Sequence, residues 1–460
     1  MRNSLKGVLA KESMTIKQVM RTIDRSGFRL AYVVDKGGRL IGAVSDSELR
    51  KAILKGRDIR DSVHGILNPK PVVLTHKDSG NPAASARVAR KLLSLMPDSR
   101  FILLLDAQGR PAKLVACADL LAGRKLTIEN RGSGKNVLVV GGAGYLGSIL
   151  SRKLLARGFK VRVLDSVSFG RGPISELAAH PGFQLLEGDM RNISTLMQAL
   201  LDVDAVINLA AIVGDPACKT RPEIAIETNY LANKVLAEAC RFHQINRFVY
   251  ASTCSVYGAM DGEKSLSEES PLNPVSLYAR SKIQSEEGIL SLVDENFAPT
   301  ILRMGTLYGW SPRMRFDLVV NTMTKNAVTE KKIIVHGGGK QWRPLLHVDD
   351  AAEAYVRCLE APISKIKGRV FNVGSREQNY QIIDIARIVQ SRVPGSELVM
   401  QGDGPDARNY IVSFDKIRRT LGFTARQGLA DSVDRIRKAL TSGEIPDPDD
   451  RRYYNVEIDQ

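Results

Sequence analysis

Residues 136–148 read NVLVVGGAGYLGS. The aliphatic run Val137–Val140 suits a strand buried on both faces. Glycines at 141, 144 and 147 then give G-x-x-G-x-x-G, and Gly142, Gly144 and Gly147 also satisfy G-x-G-x-x-G. Beyond them, Ile149, Leu150, Lys153 and Leu154 follow the spacing of an amphipathic helix. Glycine permits a tight turn and close backbone approach. The N–H groups at the helix start then favour a phosphate or pyrophosphate. A glycine pattern alone is weak evidence, but here both flanks that it requires are present.

Apolar runs recur downstream: KVRVLD (160–165), AVINLAA (205–211), RFVYAST (247–253), APTILRM (298–304) and RVFNVG (369–374). They are short, rich in β-branched residues and separated by helical stretches. That alternation predicts an α/β fold with a doubly wound parallel sheet. The second run ends on Asp165, 18 residues past Gly147. A carboxylate there accepts hydrogen bonds from both ribose hydroxyls and repels a 2′-phosphate, which favours NAD over NADP. Arg171 lies near enough in sequence to weaken that preference, and a turn aspartate that merely ends a strand is the plain alternative. A third strand precedes Gly188-Asp189-Met190-Arg191.

Tyr278-Ala-Arg-Ser-Lys282 is Y-x-x-x-K. Residues four apart share a helix face, so an ammonium can stabilise a tyrosinate. The expected result is a Tyr278 hydroxyl with a lowered pKa, able to act as base or acid. Such a pair is common by itself. Here a strand ending in Ser252-Thr253-Cys254-Ser255 lies about 25 residues upstream. This order of glycine turn, hydroxyl-bearing strand end and Y-x-x-x-K resembles the extended short-chain dehydrogenases/reductases over residues 135–440. It is most similar to their nucleotide-sugar epimerase/dehydratase branch, typified by UDP-glucose 4-epimerase. The resemblance implies a Rossmann fold with a small C-terminal substrate-binding subdomain. It implies Thr253, Tyr278 and Lys282 as catalytic residues, with Ser255 beside the sugar. For NAD it implies Gly141, Gly144, Tyr145, Leu146, Gly147, Asp165, Asp189, Met190, Leu209, Ala210, Ala211 and Asn229, together with Tyr278 and Lys282.

His336–Asp350, HGGGKQWRPLLHVDD, resembles the segment whose arginine, here Arg343, binds the nucleotide diphosphate. Arg408 resembles a second such contact. Paired guanidiniums suit a pyrophosphate through charge-assisted hydrogen bonds, although a surface ion pair is the bland reading of either. Relatives that dehydrate place Asp-Glu after the threonine, where this chain has Cys254-Ser255. Neither side chain can eliminate water at its ordinary pKa, so dehydration ranks low. Relatives with a catalytic cysteine place it where Ser255 stands; Cys254 reads as a small buried residue. Thr306 replaces the usual asparagine and Pro344 the usual aspartate near the sugar, so the substrate need not be UDP-glucose. Asp215, just past the AVINLAA run, borders the same region.

Before residue 131 lies an internal repeat. Residues 29–49 align without gaps to 100–120, at an offset of 71. Each copy reads as strand, glycine turn, strand and helix start. Thr15 caps a helix with Ile16, Val19, Met20 and Ile23 on one face. A repeat this short cannot bury its own sheet, so the two copies are expected to pack together. Over residues 8–125 they resemble a pair of cystathionine-β-synthase (CBS) motifs. That resemblance implies a regulatory adenosine-nucleotide site at Ser45, Glu48 and Asp119. A capping box explains Ser45 and Glu48 equally well, and the second copy lacks the hydroxyl.

The partition expected is a CBS pair at 1–130, a Gly/Ser-containing linker at 131–136, a catalytic domain at 137–445 and a tail at 446–460. Of the net charge of +16, residues 1–131 carry +13, from 25 Lys+Arg against 12 Asp+Glu. That excess suits a polyphosphate ligand or a solvated face. Without a nucleic-acid motif it does not point to DNA or RNA. Five scattered cysteines argue against a disulfide framework or zinc site, so no metal is expected and a cytoplasmic setting fits. No apolar run is long enough for a membrane span. Family analogy implies a homo-oligomer, a dimer.

The leading expectation is an NAD-dependent nucleotide-sugar epimerase, hydride leaving and returning at a sugar carbon, C4 by analogy. A 4-dehydrogenase or keto-reductase on the same fold is the first alternative. A nucleotide-sensing regulatory protein is an alternative of another class.

Overall fold

The computed structural model describes residues 5–26, 30–95, 101–121, 136–243, 245–259, 265–294, 297–402 and 408–455; at 5, 6, 24, 25, 118 and 119 it describes the backbone alone. The chain divides into two compact units, Met1–Gly132 and Ser133–Gln460.

The first unit carries the repeat. Leu30–Val34 pairs antiparallel with Leu40–Ser45, and Leu9–Lys11 adds a parallel strand. In the second copy Phe101–Leu105 pairs antiparallel with Pro111–Ala116, and Leu74 forms a parallel bridge to Leu104. Gly38 and Gly109 take equivalent turns at φ +78° and +75°. The helix Ile16–Ser26 begins at Thr15, whose hydroxyl accepts from Gln18 N at 3.3 Å. Ile16, Val19 and Ile23 are buried, whereas Met20 is 39% exposed, at the edge of the expected face. Leu30, Tyr32 and Ala43 of one copy share a core with Leu103 and Leu114 of the other. The two copies therefore pack as one body, as the repeat predicts.

The second unit is built on seven parallel strands: β1 Asn136–Val140, β2 Lys160–Asp165, β3 Phe183–Glu187, β4 Ala205–Asn208, β5 Arg247–Thr253, β6 Ala298–Met304 and β7 Arg369–Val373. Their order is 3-2-1-4-5-6-7. The direction of winding reverses between β1 and β4, where ligands bind in doubly wound sheets. Both sheet faces are covered. Val137, Val139, Val161 and Val163 enter one core, and Leu138, Val140, Leu164 and Val206 the other. This alternation on two buried faces is why the strands read as unbroken apolar runs.

The helices that matter here are α1 Tyr145–Ala156, α2 Ala232–Phe242, α3 Leu277–Leu290 and α4 Val319–Thr329. A smaller core gathers Val320 and Met323 of α4 with Ile333, Val335, Leu345, Ile385 and Val389. It belongs to the C-terminal subdomain, where Lys332–His336 pairs with Glu397–Gln401. The expected tail is packed as far as Asn455. Tyr453 O accepts from Phe316 N at 2.9 Å, and Asp449 bonds Lys325 Nζ at 2.6 Å. Of the expected linker only Asn136 is described, and it opens β1.

The face of α3 toward the sheet is polar. Ser281, Lys282, Ser285 and Glu286 are all buried. Glu286 chelates Arg303 of β6, with Nη2 at 2.7 Å and Nε at 3.1 and 3.2 Å, and accepts from Ser252. Arg303 also donates to Tyr257 at 3.0 Å. Removing one partner of a buried pair strands the other charge, at about 3–5 kcal/mol. Glu286→Ala is therefore expected to lower unfolding free energy by that amount in urea titrations, more than any exposed pair such as Arg50–Asp46 contributes.

Candidate active site

At the carboxyl ends of β1, β2, β4 and β5 a cavity of about 810 Å³ opens. Its floor is the glycine turn. Gly141 holds φ +82°, and a Cβ there would lie 2.8 Å from Ala210 N. A Cβ on Gly147 would lie 2.1 Å from Gly141 O. Gly144 is the N-cap of α1 and offers no capping side chain. The first-turn N–H groups of α1 are thus presented to the cavity by backbone packed too tightly for any side chain.

Asp165 ends β2 on the rim. Its carboxylate oxygens accept from Ala143 N and Val167 N, both at 2.8 Å. Burial raises its pKa, and those two amides oppose the rise. Each oxygen retains acceptor capacity, since a carboxylate has about four lone-pair sites. Arg171 is exposed, pairs with Glu187 and is absent from the cavity lining, so it does not offset Asp165. Tyr145, Leu146, Asp189, Met190, Leu209, Ala210 and Ala211 all line the cavity. Asp189 is bound to Arg191 at 2.6 Å, which lowers its pKa. Asn229 does not line it. Its amide accepts from Ile212 N at 2.8 Å and donates to Ile212 O at 2.9 Å, so it braces the loop after β4 instead of meeting a cofactor. That expectation is corrected: the side chain is fully buried and its groups are already engaged.

Thr253, Ser255, Tyr278 and Lys282 line the same cavity. The Thr253 hydroxyl accepts from Ser255 N and donates to Ser255 Oγ, both at 3.1 Å, and helps to lower the Tyr278 pKa against the larger effect of burial. Ser276 caps α3, accepting from Ala279 N at 3.2 Å, which sets Tyr278 in the first turn. Lys282 Nζ donates to Ala251 O at 2.8 Å and stands 5.8 Å from the Tyr278 ring centroid. The Tyr278 pKa is raised, not lowered as the spacing suggests. Burial outweighs the cations nearby, and Lys282 is itself pushed from 10.5 down to about 8. Arg315 is the neighbour that most favours the tyrosinate. Cys254 is buried with its thiol on Arg303 O at 3.3 Å, as a core residue should be.

The Ser255 side of the cavity holds the two arginines, Tyr410 Oη meeting Ser255 Oγ at 3.5 Å. Arg343 is buried and donates to Trp342 O at 2.8 Å and to Arg408 O. Arg408 pairs with Asp215 at 3.2 Å. Thr306 and Tyr410 complete this side. Arg313, Arg315, Asp317 and Asn455 also line the cavity, and all four escaped the sequence reading. The signal for the first three was an R-x-R-x-D run in a segment without periodicity.

In the first unit, Ser45 Oγ accepts from Glu48 N at 3.2 Å, and Glu48 accepts from Ser45 N at 2.6 Å. This capping box accounts for both residues without a ligand. The Asp119 side chain lies outside the described residues. Among the described residues no group of three or more His, Cys, Asp or Glu side chains could hold a metal ion, and no helix is long and apolar enough to cross a membrane.

Residues 137–374 match the NAD dependent epimerase/dehydratase family, and residues 7–55 match the CBS domain. A dTDP-glucose 4,6-dehydratase of Streptomyces griseus is 28% identical, over 65% of this chain and 92% of its own length. A UDP-glucose 4-epimerase of Corynebacterium glutamicum is 27% identical, over 63% and 90%. The structure of the UDP-glucuronic acid 4-epimerase of Bacillus cereus with UDP-glucuronic acid and NAD superposes with a TM-score of 0.61. It is 26% identical, covering 67% of this chain and 99% of that one. The chain belongs to the NAD-dependent epimerase/dehydratase family and is an NAD-dependent enzyme. The glycine cradle and the Asp165 carboxylate fit that cofactor.

A lysine whose folded pKa is depressed to about 8 burdens the fold with a buried charge below pH 8. The burden lifts as pH rises from 8 toward the unfolded value of 10.5. Wild-type stability should therefore climb relative to Lys282→Met across that window in thermal melts. A flat difference would contradict the burial of the ammonium.

Proposed function

We propose that this member of the family is a nucleotide-sugar epimerase that inverts a hydroxyl-bearing sugar carbon, C4 by analogy with the UDP-sugar 4-epimerases it resembles. The observation that carries this reading is the chemistry beside Thr253. Cys254 is turned into the core, its thiol pKa pushed up by burial, and Ser255 faces Thr253 and Tyr410. Among the described residues the cavity thus has proton-transfer groups for one oxygen, and none next to them that would eliminate water. Asp215, the carboxylate electrostatically coupled to Tyr278, is held in an ion pair by Arg408.

NAD, when bound, supplies the two-electron acceptor that takes hydride from the sugar carbon and returns it. Gly141, Gly144 and Gly147 with α1 would hold its pyrophosphate, and Asp165 its adenosine ribose. Tyr278 removes the proton from the sugar hydroxyl, and Thr253 fixes that oxygen. Arg343 and Arg408 hold the diphosphate while the sugar turns, so the same tyrosine serves both faces. Arg315 supplies positive charge that offsets part of the burial of Tyr278.

Incubation with a panel of UDP-, dTDP- and GDP-sugars should scramble one carbinol centre without net NADH. Tyr278→Phe should slow it by about 10²- to 10⁴-fold, the usual worth of a positioned acid–base group. Stoichiometric NADH would select a dehydrogenase instead, and a 4-keto-6-deoxy product a dehydratase.

A second copy is the proposed partner. Ile226, Leu231, Val235 and Phe242, along or just before α2, are 36–55% exposed. Light scattering should find a dimer that Leu231→Glu with Val235→Glu dissociates; a monomeric wild type would refute it.

A further inference from the structure

Arg313 has no part in the reading above. It lines the cavity at 2% exposure. Its guanidinium lies 3.6 Å from the Phe169 ring centroid, and Nη2 donates to Asn455 Oδ1 at 2.6 Å. Nε is buried and has no hydrogen-bond partner among the described residues. The neighbouring Arg315 is chelated by Asp317 at 3.0 and 2.5 Å, whereas no described carboxylate forms an ion pair with Arg313. Buried cations are ordinarily paired and their donors satisfied. A donor left over in a cavity wall therefore points to an anionic ligand.

The loop around Arg313 is fastened to the start of α1. Tyr145 Oη donates to Gly309 O at 2.6 Å, Ser311 Oγ donates to Tyr145 O at 2.7 Å, and Ser311 also meets Ser148 at 3.2 Å. Phe169, on which the guanidinium stacks, follows Asp165 by four residues. Arg313 is thus near enough to both Asp165 and Tyr145, in the first turn of α1, to interact electrostatically with each. The substrate's diphosphate already has Arg343 and Arg408 beside Tyr410. A 2′-phosphate would crowd the Asp165 carboxylate.

We propose that Arg313 is a phosphate-binding residue of the dinucleotide site, its guanidinium pairing with the cofactor pyrophosphate at the start of α1. Phe169 and Asn455 hold the guanidinium plane for that pairing, the geometry in which arginine grips phosphate. Burial and Arg315 push its pKa down to about 9, so it stays cationic at neutral pH. The inference rests on the chain's use of NAD, not on the choice of sugar reaction.

Calorimetry on the full chain with ADP-ribose, adenosine and NADP tests it. Arg313→Gln should weaken ADP-ribose roughly ten- to hundredfold and leave adenosine unchanged, with Arg313→Lys partly restored. Asn455→Asp keeps the buried arginine and sets a carboxylate against it. It should weaken ADP-ribose and spare adenosine, which keeps the test valid if Arg313→Gln does not fold. Unchanged ADP-ribose affinity, or equal loss of adenosine, would overturn the proposal. So would a loss confined to NADP, which would move the contact to the 2′-phosphate. A loss of ADP-ribose affinity without epimerisation of any sugar would sink the proposed reaction and leave this inference standing.

Discussion

Everything in the catalytic unit depends on how closely α1 approaches the sheet. Gly147 lies against Gly141 with no space for a methyl group, Gly142 presses on Val163, and Gly141 abuts Ala210 at the end of β4. A side chain at any of these positions would push the helix out from the switch point between β1 and β4. That approach puts a helix N-terminus, two strand ends and the loop after β4 around one space. The cavity is its consequence, and the Asp165 carboxylate is drawn onto the rim by Ala143 and Val167 in the same turn.

A buried polar lattice holds the chemistry against this frame. Asn208 donates to Asn233 at 2.5 Å, Asn233 donates to Tyr250 at 3.1 Å, and Ser285 donates to Asn229 O. These contacts tie β4 and β5 to α2 and α3, and the Glu286–Arg303 pair adds β6. Buried polar groups are costly unless satisfied, so a lattice this connected admits few alternative packings. It keeps Tyr278 and Thr253 in one place at the cavity wall.

The same lattice explains where sequence reading falters. An amphipathic helix is recognised by its apolar stripe, yet α3 turns Ser281, Lys282, Ser285 and Glu286 inward. Only the Tyr278–Lys282 spacing betrayed its role, and that spacing suggested the wrong direction for the Tyr278 pKa. A lysine four residues away is a local fact. Whether its charge or its burial dominates depends on what closes over both. Asn229 erred likewise: its type and place were right, but its amide braces Ile212. Arg313 and Asn455 sit in a loop and in a segment read as a tail, where no periodicity speaks.

By itself the sequence determined the strand–turn–helix at residues 136–156, the parallel sheet, the internal repeat and the kind of groups that would meet a dinucleotide. Those depend on backbone sterics, side-chain period and residue spacing, which act within a few residues. Only the tertiary structure decided which polar groups face the cavity and which are used up in the frame. It also decided how far burial moves Tyr278 and Lys282, and that Asn455 returns to hold Arg313. Desolvation and the pairing of charges depend on neighbours that are distant in the chain, so no local pattern could have announced them.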